Sequence, residues 1–245
     1  MKNNILIGLM ALIWLVLIAN IIWQGTDGKW TIEDAEKVGA LEVAKYTNQV
    51  MIVAVSKDGA HLCLYECESN DSVTSHGGSK QGSKNWRLVL ETEAIIGKNG
   101  LGKTKEGDGK TPIGVFLFVE AFGILENPGA KLPYVQVKEH HYWVDDSGSS
   151  YYNKLVSAKG LKSDWTSAEH IIEYGESYHY VLATSYNMEC IPGKGSAVFL
   201  HCTTGDSDST AGCIAVPKVY MKEIIKRVEP ECVLIIDREE NILAY

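Results

Sequence analysis

The chain has 245 residues, 45% apolar and 22% charged, an ordinary globular composition that excludes disorder and collagen. Twenty-three glycines and six prolines, with no self-similarity at periods of roughly 20–50 residues, exclude low complexity, solenoids and propellers. Twenty-three basic against thirty-one acidic side chains leave a net charge of −8 and no dense Lys/Arg stripe, which argues against a nucleic-acid partner.

The first element in chain order is the apolar run from Ile5 to Trp23, nineteen residues with Asn20 as the one polar member and no charge. At about 1.5 Å rise per residue a helix of that length spans the ~30 Å hydrocarbon core. Residues 1–25 are therefore expected to be an N-terminal transmembrane helix or signal sequence. An uncleaved anchor is favoured, because a signal peptide's apolar core is usually only about 7–15 residues and ends in a small-x-small site, whereas this run ends in bulky residues. Lys2 acts as a positive-inside signal, which puts the rest of the chain beyond the membrane, anchored through residues 5–23 or secreted after cleavage.

Residues 26–49 turn polar and charged and are expected to form a juxtamembrane stalk, with Thr31 and Asp34 as a capping box and Ala35, Val38 and Leu41 as a weak apolar face. Strand patterns follow at Val50 to Val55 and His61 to Tyr65, joined by the turn Lys57-Asp58-Gly59 as a hairpin. The stretch Glu68 to Asn85 has one large apolar residue in eighteen and reads as a mobile loop, with His76 solvated in it. Strand patterns resume at Trp86 to Ile96, Ile113 to Val119, Tyr178 to Tyr186 and Ala197 to Cys202, with a helix expected near Ala168 to Tyr174. Pro217 opens an amphipathic helix whose Val219, Ile224 and Val228 are expected to face a core. Cys232 to Asp237 is a short apolar strand, and residues 239–245 form a C-terminal tail. The count predicts a mostly β (β-rich α+β) catalytic domain over residues 50–238.

Chemistry concentrates between Phe199 and Pro217. An apolar strand ends in His201, and a loop of small polar residues returns to Gly212-Cys213, so an imidazole and a thiol stand at the two ends of one loop. A thiol nucleophile needs a base or an electropositive setting, a glycine neighbour permits close approach, and the N–H groups of Gly212 and Cys213 are candidate oxyanion donors. Buried unreactive cysteine and structural histidine are the competing reading of the same pair. Strand alternation groups His201 with Phe199 and Ala197, and Cys202 with Leu200 and Val198 toward the core. The other five cysteines, Cys63, Cys67, Cys190, Cys202 and Cys232, are an odd number, so at least one more thiol stays free in a monomer. A zinc site from Cys63, Cys67 and a histidine lacks a second cysteine pair, and no metal or other cofactor is expected. The glycine-rich segment from Gly97 to Lys110 has phosphate-loop-like glycines but no obvious following helix, and reads as a turn-rich connection and not a nucleotide site.

The His201 loop followed by Thr210-Ala211-Gly212-Cys213 resembles the active-site motif of the L,D-transpeptidase (YkuD-like) family, a histidine and then a Ser/Thr-x-Gly-Cys element. Ile96 to Phe116 is similar to the family's glycine-rich segment ending in Thr-Pro-x-Gly-x-Phe. The stretches YWVDDSGSSYYN from Tyr142, SAEH from Ser167 and GKGSAVFLH from Gly193 resemble a bacterial branch. Together these motifs cover most of Val50 to Asp237. The resemblance implies the β-rich L,D-transpeptidase catalytic fold at the extracytoplasmic face of a bacterial membrane or in the wall. It also implies peptidoglycan stem peptides as donor and acceptor.

In that scheme Cys213 is the nucleophile and His201 the general acid/base, oriented by the Cys202 backbone carbonyl, with Thr210 and Gly212 in the oxyanion element. His170 and Asn187 are candidate substrate-binding residues. The chain departs from the family pattern at Ala211, where many members have histidine, and at Ile214-Ala215-Val216, where many have arginine. Two other readings stay open: a catalytically weak peptidoglycan-binding module on the same scaffold, and another cysteine peptidase or sortase-like transpeptidase. Histidine before cysteine at short spacing argues against the latter.

Overall fold

The structure, a computed structural model, describes residues 35–68, 85–205 and 207–245. The apolar run 5–23, the Thr31–Asp34 box and the polar stretch 69–84 with His76 lie outside the described residues. Among those described, no helix is long and apolar enough to cross a membrane. The longest regular one has ten residues, about 15 Å, half the thickness of a bilayer core. The fold class is accordingly corrected: the described residues form a β-rich α+β domain that includes no membrane-crossing helix. The expected membrane partnership through residues 5–23, and the location at a membrane face that depended on it, therefore have no support in the described fold.

The main sheet contains β1 (Gln49–Ser56), β2 (Gly59–Glu68), β3 (Asn85–Ala94), β4 (Gly114–Gly123), β5 (Tyr134–Gln136), β9 (Val181–Thr184), β10 (Phe199–Cys202), β11 (Ile214–Val216) and β12 (Val233–Arg238). Its order is β11-β10-β9-β4-β12-β1-β2-β3, with β5 beside β4. A smaller sheet has β6 (His141–Val144), β7 (Lys154–Ser157) and β8 (Ala168–His170) in the order β7-β6-β8. The hairpin expected at Lys57-Asp58 joins β1 to β2, with Ser56 opposite Gly59. Pairs β1–β12, β4–β5 and β10–β11 are parallel and the others antiparallel. The sheet curls until its two edges meet, where Ile95 just past β3 exchanges two backbone hydrogen bonds of 2.8 Å with Ala215 of β11.

Strand alternation sorts side chains onto two faces. Met51, Val53, Leu200, Cys202, Ile214 and Leu234 join the core cluster that also contains Met221, Ile224 and Ile225 of the helix Lys218–Arg227. Val50, Ile52, Cys63 and Ile235 face the other way, under α1 (Ala35–Ala40) and the 3-10 turn Val43–Lys45. The segment 35–49, read from sequence as a stalk, thus packs from Ala35 onward onto the sheet, with Val38, Leu41 and Ala44 buried. The C-terminal tail closes the same face as a 3-10 helix, Glu239–Ala244, with Ile242 buried and the Tyr245 hydroxyl donating to Asp237 Oδ2 at 2.7 Å. A third cluster of Phe122, Trp143, Ile171, Tyr178, Phe199 and Cys213 lies between the main and small sheets.

Helix α2 (Lys218–Arg227) follows Pro217 as expected, but its buried stripe is Met221, Ile224, Ile225 and Val228, spaced i, i+3, i+4, i+7. Val219 is 67% exposed because five residues separate it from Ile224, which is about 140° around the helix. The helix expected near Ala168 to Tyr174 is instead strand β8 followed by a 3-10 segment, Ile171–Tyr178, kinked at Gly175. Pairing of Ala168 to His170 with β6 overrides the local preference. All six cysteines are free. Burial pushes the thiols of Cys63 and Cys202 up to about 12 and about 11, consistent with inert core positions.

Ile224→Ala is expected to cost about 2–5 kcal/mol in urea unfolding, whereas Val219→Ala stays within about 0.5 kcal/mol. Equal costs would show that the helix packs by a different face.

Candidate active site

His201 and Cys213 come together through the parallel pairing of β10 with β11. Leu200 stands opposite Ile214 and His201 opposite Ala215, so Cys213, one residue before β11, falls beside Phe199. The Phe199 N–H donates to Cys213 Sγ at 3.4 Å, and the thiol donates to the Ala197 carbonyl at 3.0 Å. Both residues line one cleft of about 370 Å³. His201 Nδ1 lies 2.9 Å from the Cys202 carbonyl oxygen, which can only accept, so Nδ1 carries a proton. The Tyr178 ring packs edge-on to the imidazole, with centroids 5.4 Å apart. Burial pushes the His201 pKa down, against backbone hydrogen bonds to Cys202 and Ser177.

The Cys213 thiol is 8% exposed, and burial, with Glu169 adding to it, pushes its pKa up to about 12; the Phe199 N–H and Lys103 act in the opposite sense. At rest the sulfur is therefore a neutral thiol and not a thiolate paired with imidazolium. Ala197, whose carbonyl holds that thiol, sits at φ 51°, a left-handed backbone costing an alanine roughly 1–2 kcal/mol. Asn153 keeps it there. Its Oδ1 accepts from the Ala197 N–H and from Trp143 Nε1, both at 3.1 Å, while its Nδ2 donates to the Asn187 carbonyl at 2.9 Å.

The loop between His201 and Cys213 is held by the segment Ile95 to Thr111, which follows the sheet seam. The Thr210 N–H donates to the Ile96 carbonyl and the Lys98 N–H to the Thr210 carbonyl, each at 2.9 Å. Thr210 Oγ1 donates to the Cys213 carbonyl at 2.7 Å and accepts the Gly212 N–H at 3.1 Å. That bond commits one of the two expected oxyanion donors; the Cys213 N–H has no acceptor among the described residues. The fully buried Thr111 accepts from the Gly97 N–H at 2.8 Å and donates to the Gly212 carbonyl at 2.9 Å. Gly212 has φ 146°, and a Cβ there would stand 2.8 Å from the Lys110 carbonyl oxygen.

Gly97 to Thr104 has the phosphate-loop spacing G-x-x-x-x-G-K-T, but no helix follows it, and its lysine is turned into the cleft. There Lys103 Nζ donates to Asp108 Oδ1 at 3.1 Å, with the two side chains 4% and 7% exposed. Burial acts against the Asp108 carboxylate. The N–H groups of Thr104, Lys110 and Lys105 and the Lys103 ammonium outweigh it, and hold the pKa well below the usual carboxylate range.

Of the two expected substrate-binding residues, neither lines the cleft. His170 stacks on Tyr142 at 4.5 Å and is tied to Glu173 Oε1 at 2.8 Å and the Glu139 carbonyl at 2.6 Å. Asn187, at φ 53°, brackets its own loop by donating to the Gly195 and Ile191 carbonyls at 2.8 and 3.1 Å. Glu169, the neighbour of His170, faces the cleft instead, since adjacent strand residues point to opposite sides. Its pKa is raised to about 7 by burial, helped by Asp145 and Glu106 and opposed by the Tyr178 hydroxyl 2.8 Å from Oε2. Glu106 accepts from Tyr152 at 2.6 Å and Ser196 at 2.9 Å, and Asp145 Oδ1 is buried with no hydrogen-bond partner among the described residues. These carboxylates, Lys103 and Asn153 were not singled out from sequence. A charged residue in a glycine-rich loop or after a tyrosine pair carries no periodic signal. Among the described residues no group of His, Cys, Asp and Glu is placed to hold a metal ion.

Two stability changes follow. Asp108's low folded pKa stabilises the protein fully above the ordinary carboxylate value near ~4, and that contribution is lost as pH falls toward the folded value. The Tm gap between wild type and Asp108→Asn should thus shrink below about pH 4; a pH-independent gap would mean the carboxylate charge is irrelevant. Gly212→Ala should cost about 1–3 kcal/mol in urea unfolding, because backbone and not a movable side chain meets the new Cβ.

The family model described as the L,D-transpeptidase catalytic domain (YkuD) matches residues 81–236, more than half of the chain. No curated protein matches. Solved structures that resemble it include the avibactam carbamoyl enzyme of Ldtfm (15% identity, 78% of this chain and 49% of that one, TM-score 0.37). A mutant L,D-transpeptidase of Enterococcus faecium (14%, 78% and 50%, 0.37) and the L,D-transpeptidase from Mycobacterium smegmatis (11%, 78% and 58%, 0.36) are similar at the same level. The chain spans about half the length of the first two. The family model, which carries the assignment without these structural likenesses, shows that this chain belongs to the L,D-transpeptidase (YkuD-like) catalytic-domain family.

Proposed function

We propose that the protein is a peptidoglycan L,D-transpeptidase in which Cys213 acts as nucleophile and His201 as general acid/base. The observation that carries this reading is that both side chains line one cleft, with the imidazole's Nδ1 bonded to the Cys202 carbonyl. The thiol is neutral at rest, so its proton leaves for His201 as the sulfur attacks, in the manner of general base catalysis. The carbonyl attacked is the one between the third and fourth residues of a stem tetrapeptide. The protonated imidazole then returns the proton to the departing D-alanine amine, leaving a thioester on Cys213. An acceptor amine, deprotonated by His201, gives a 3-3 cross-link; water gives the shortened stem peptide. The Cys213 N–H is the donor for the oxyanion, and Thr210 shapes the turn that presents it.

The test incubates the full chain with disaccharide tetrapeptides and follows intact-protein and product masses. The expected result is an acyl adduct on Cys213 with D-alanine released. Cys213→Ala should abolish turnover and His201→Ala should lower kcat/KM at least about a hundredfold, both with unchanged melting curves. A folded wild-type protein with neither adduct nor product across several stem peptides would leave a non-catalytic peptidoglycan-binding scaffold as the better description.

A further inference from the structure

We propose that Lys103 is a positioning residue that holds a fixed positive charge against the Gly212–Cys213 segment, where negative charge develops on the sulfur. The inference rests on the thiol chemistry proposed above. Among the described residues Lys103 is the only lysine or arginine lining the cleft, and its side chain is 4% exposed. Asp108 fixes it from one side through the 3.1 Å contact, and is itself immobilised by the N–H groups of Thr104 at 2.8 Å and of Lys105 and Lys110 at 3.1 Å. On the other side two glycines make room. A Cβ at Gly195 would lie 2.5 Å from Lys103 Cε, and one at Gly212 would lie 3.5 Å from Nζ.

Apart from the Phe199 N–H, which acts in the same direction, the remaining groups around the thiol bear on its charge in the other direction or not at all. Glu169, Glu106 and Asp145 line the cleft as carboxyl groups, Tyr174 and Tyr178 are neutral, and His201 takes the proton without being charged beforehand. Besides the imidazolium that forms as His201 takes the proton, a sulfur anion in that setting meets one permanent cation among the described residues, Lys103, and a buried charge is weakly screened. The direction of its influence on Cys213 agrees, since Lys103 and the Phe199 N–H oppose the burial and Glu169 effects.

The experiment measures the rate of iodoacetamide alkylation of the Cys213 peptide by mass spectrometry at fixed pH, beside thermal melts. It compares full-length wild type with Lys103→Arg, Lys103→Gln and Lys103→Met. Below the thiol pKa the rate follows the thiolate fraction. The neutral variants should lose about tenfold, the equivalent of one pKa unit, while Lys103→Arg stays within about twofold of wild type. Gln retains a donor for Asp108, so it separates charge from a hydrogen-bonding strut. A wild-type rate in Lys103→Gln, an equal loss in Lys103→Arg, or loss of cooperative melting in both neutral variants overturns the proposal. No peptidoglycan enters this assay. A chain without turnover but with the charge-dependent rate would therefore refute the substrate reading and leave the role of Lys103 standing.

Discussion

The seam between Ile95 and Ala215 is the contact on which the site depends. Two 2.8 Å backbone hydrogen bonds close the curled sheet there and bring the residues after β3 alongside the residues before β11. From that point Ile96, Lys98 and Thr111 grip Thr210 and Gly212, so the eleven residues between Cys202 and Ile214 end in a defined turn. Without the closure, loop entropy would leave the thiol free to wander relative to the imidazole.

A second constraint acts from the opposite side of the cleft. The small sheet and its 3-10 extension cover the outer face of β9 and β10 with Trp143, Ile171 and Tyr178, which bury Phe199 and Cys213. Asn153, tied to both Trp143 and Ala197, transmits that packing to the strained backbone whose carbonyl holds the thiol proton. The resulting environment explains why the Cys213 thiol resists ionisation. A desolvated thiol beside carboxyl groups is held in its neutral form, which is the form less open to oxidation.

Much of this was legible in the chain. Period-2 alternation and the turn at Lys57-Asp58 gave the strands, Pro217 gave the start of α2, and the His201 and Gly212-Cys213 pair gave the cleft, because each is a local pattern with a local cause. Val219 was misplaced because the helical stripe was read across five residues instead of three and four. The segment 168–178 was misread because its strand pairing with β6 is non-local. His170 was chosen where Glu169 faces the cleft, an error of one residue that strand geometry turns into the opposite side. The membrane helix was inferred from hydropathy in a stretch beyond the described residues, and nothing in the described fold carries it.

By itself, then, the sequence determined the β-rich class, the family motifs and the identity of the thiol–imidazole pair. Those follow from residue types at fixed spacing along one strand–loop–strand unit. Only the tertiary structure decided the company that pair keeps: Lys103 on its Asp108 anchor, Glu169 across the cleft, Thr111 beneath the loop and Asn153 behind it. These residues are 44 to 110 positions from Cys213 in sequence. They meet it because sheet closure and the packing of a second sheet are interactions between distant segments, whose partners no local periodicity specifies.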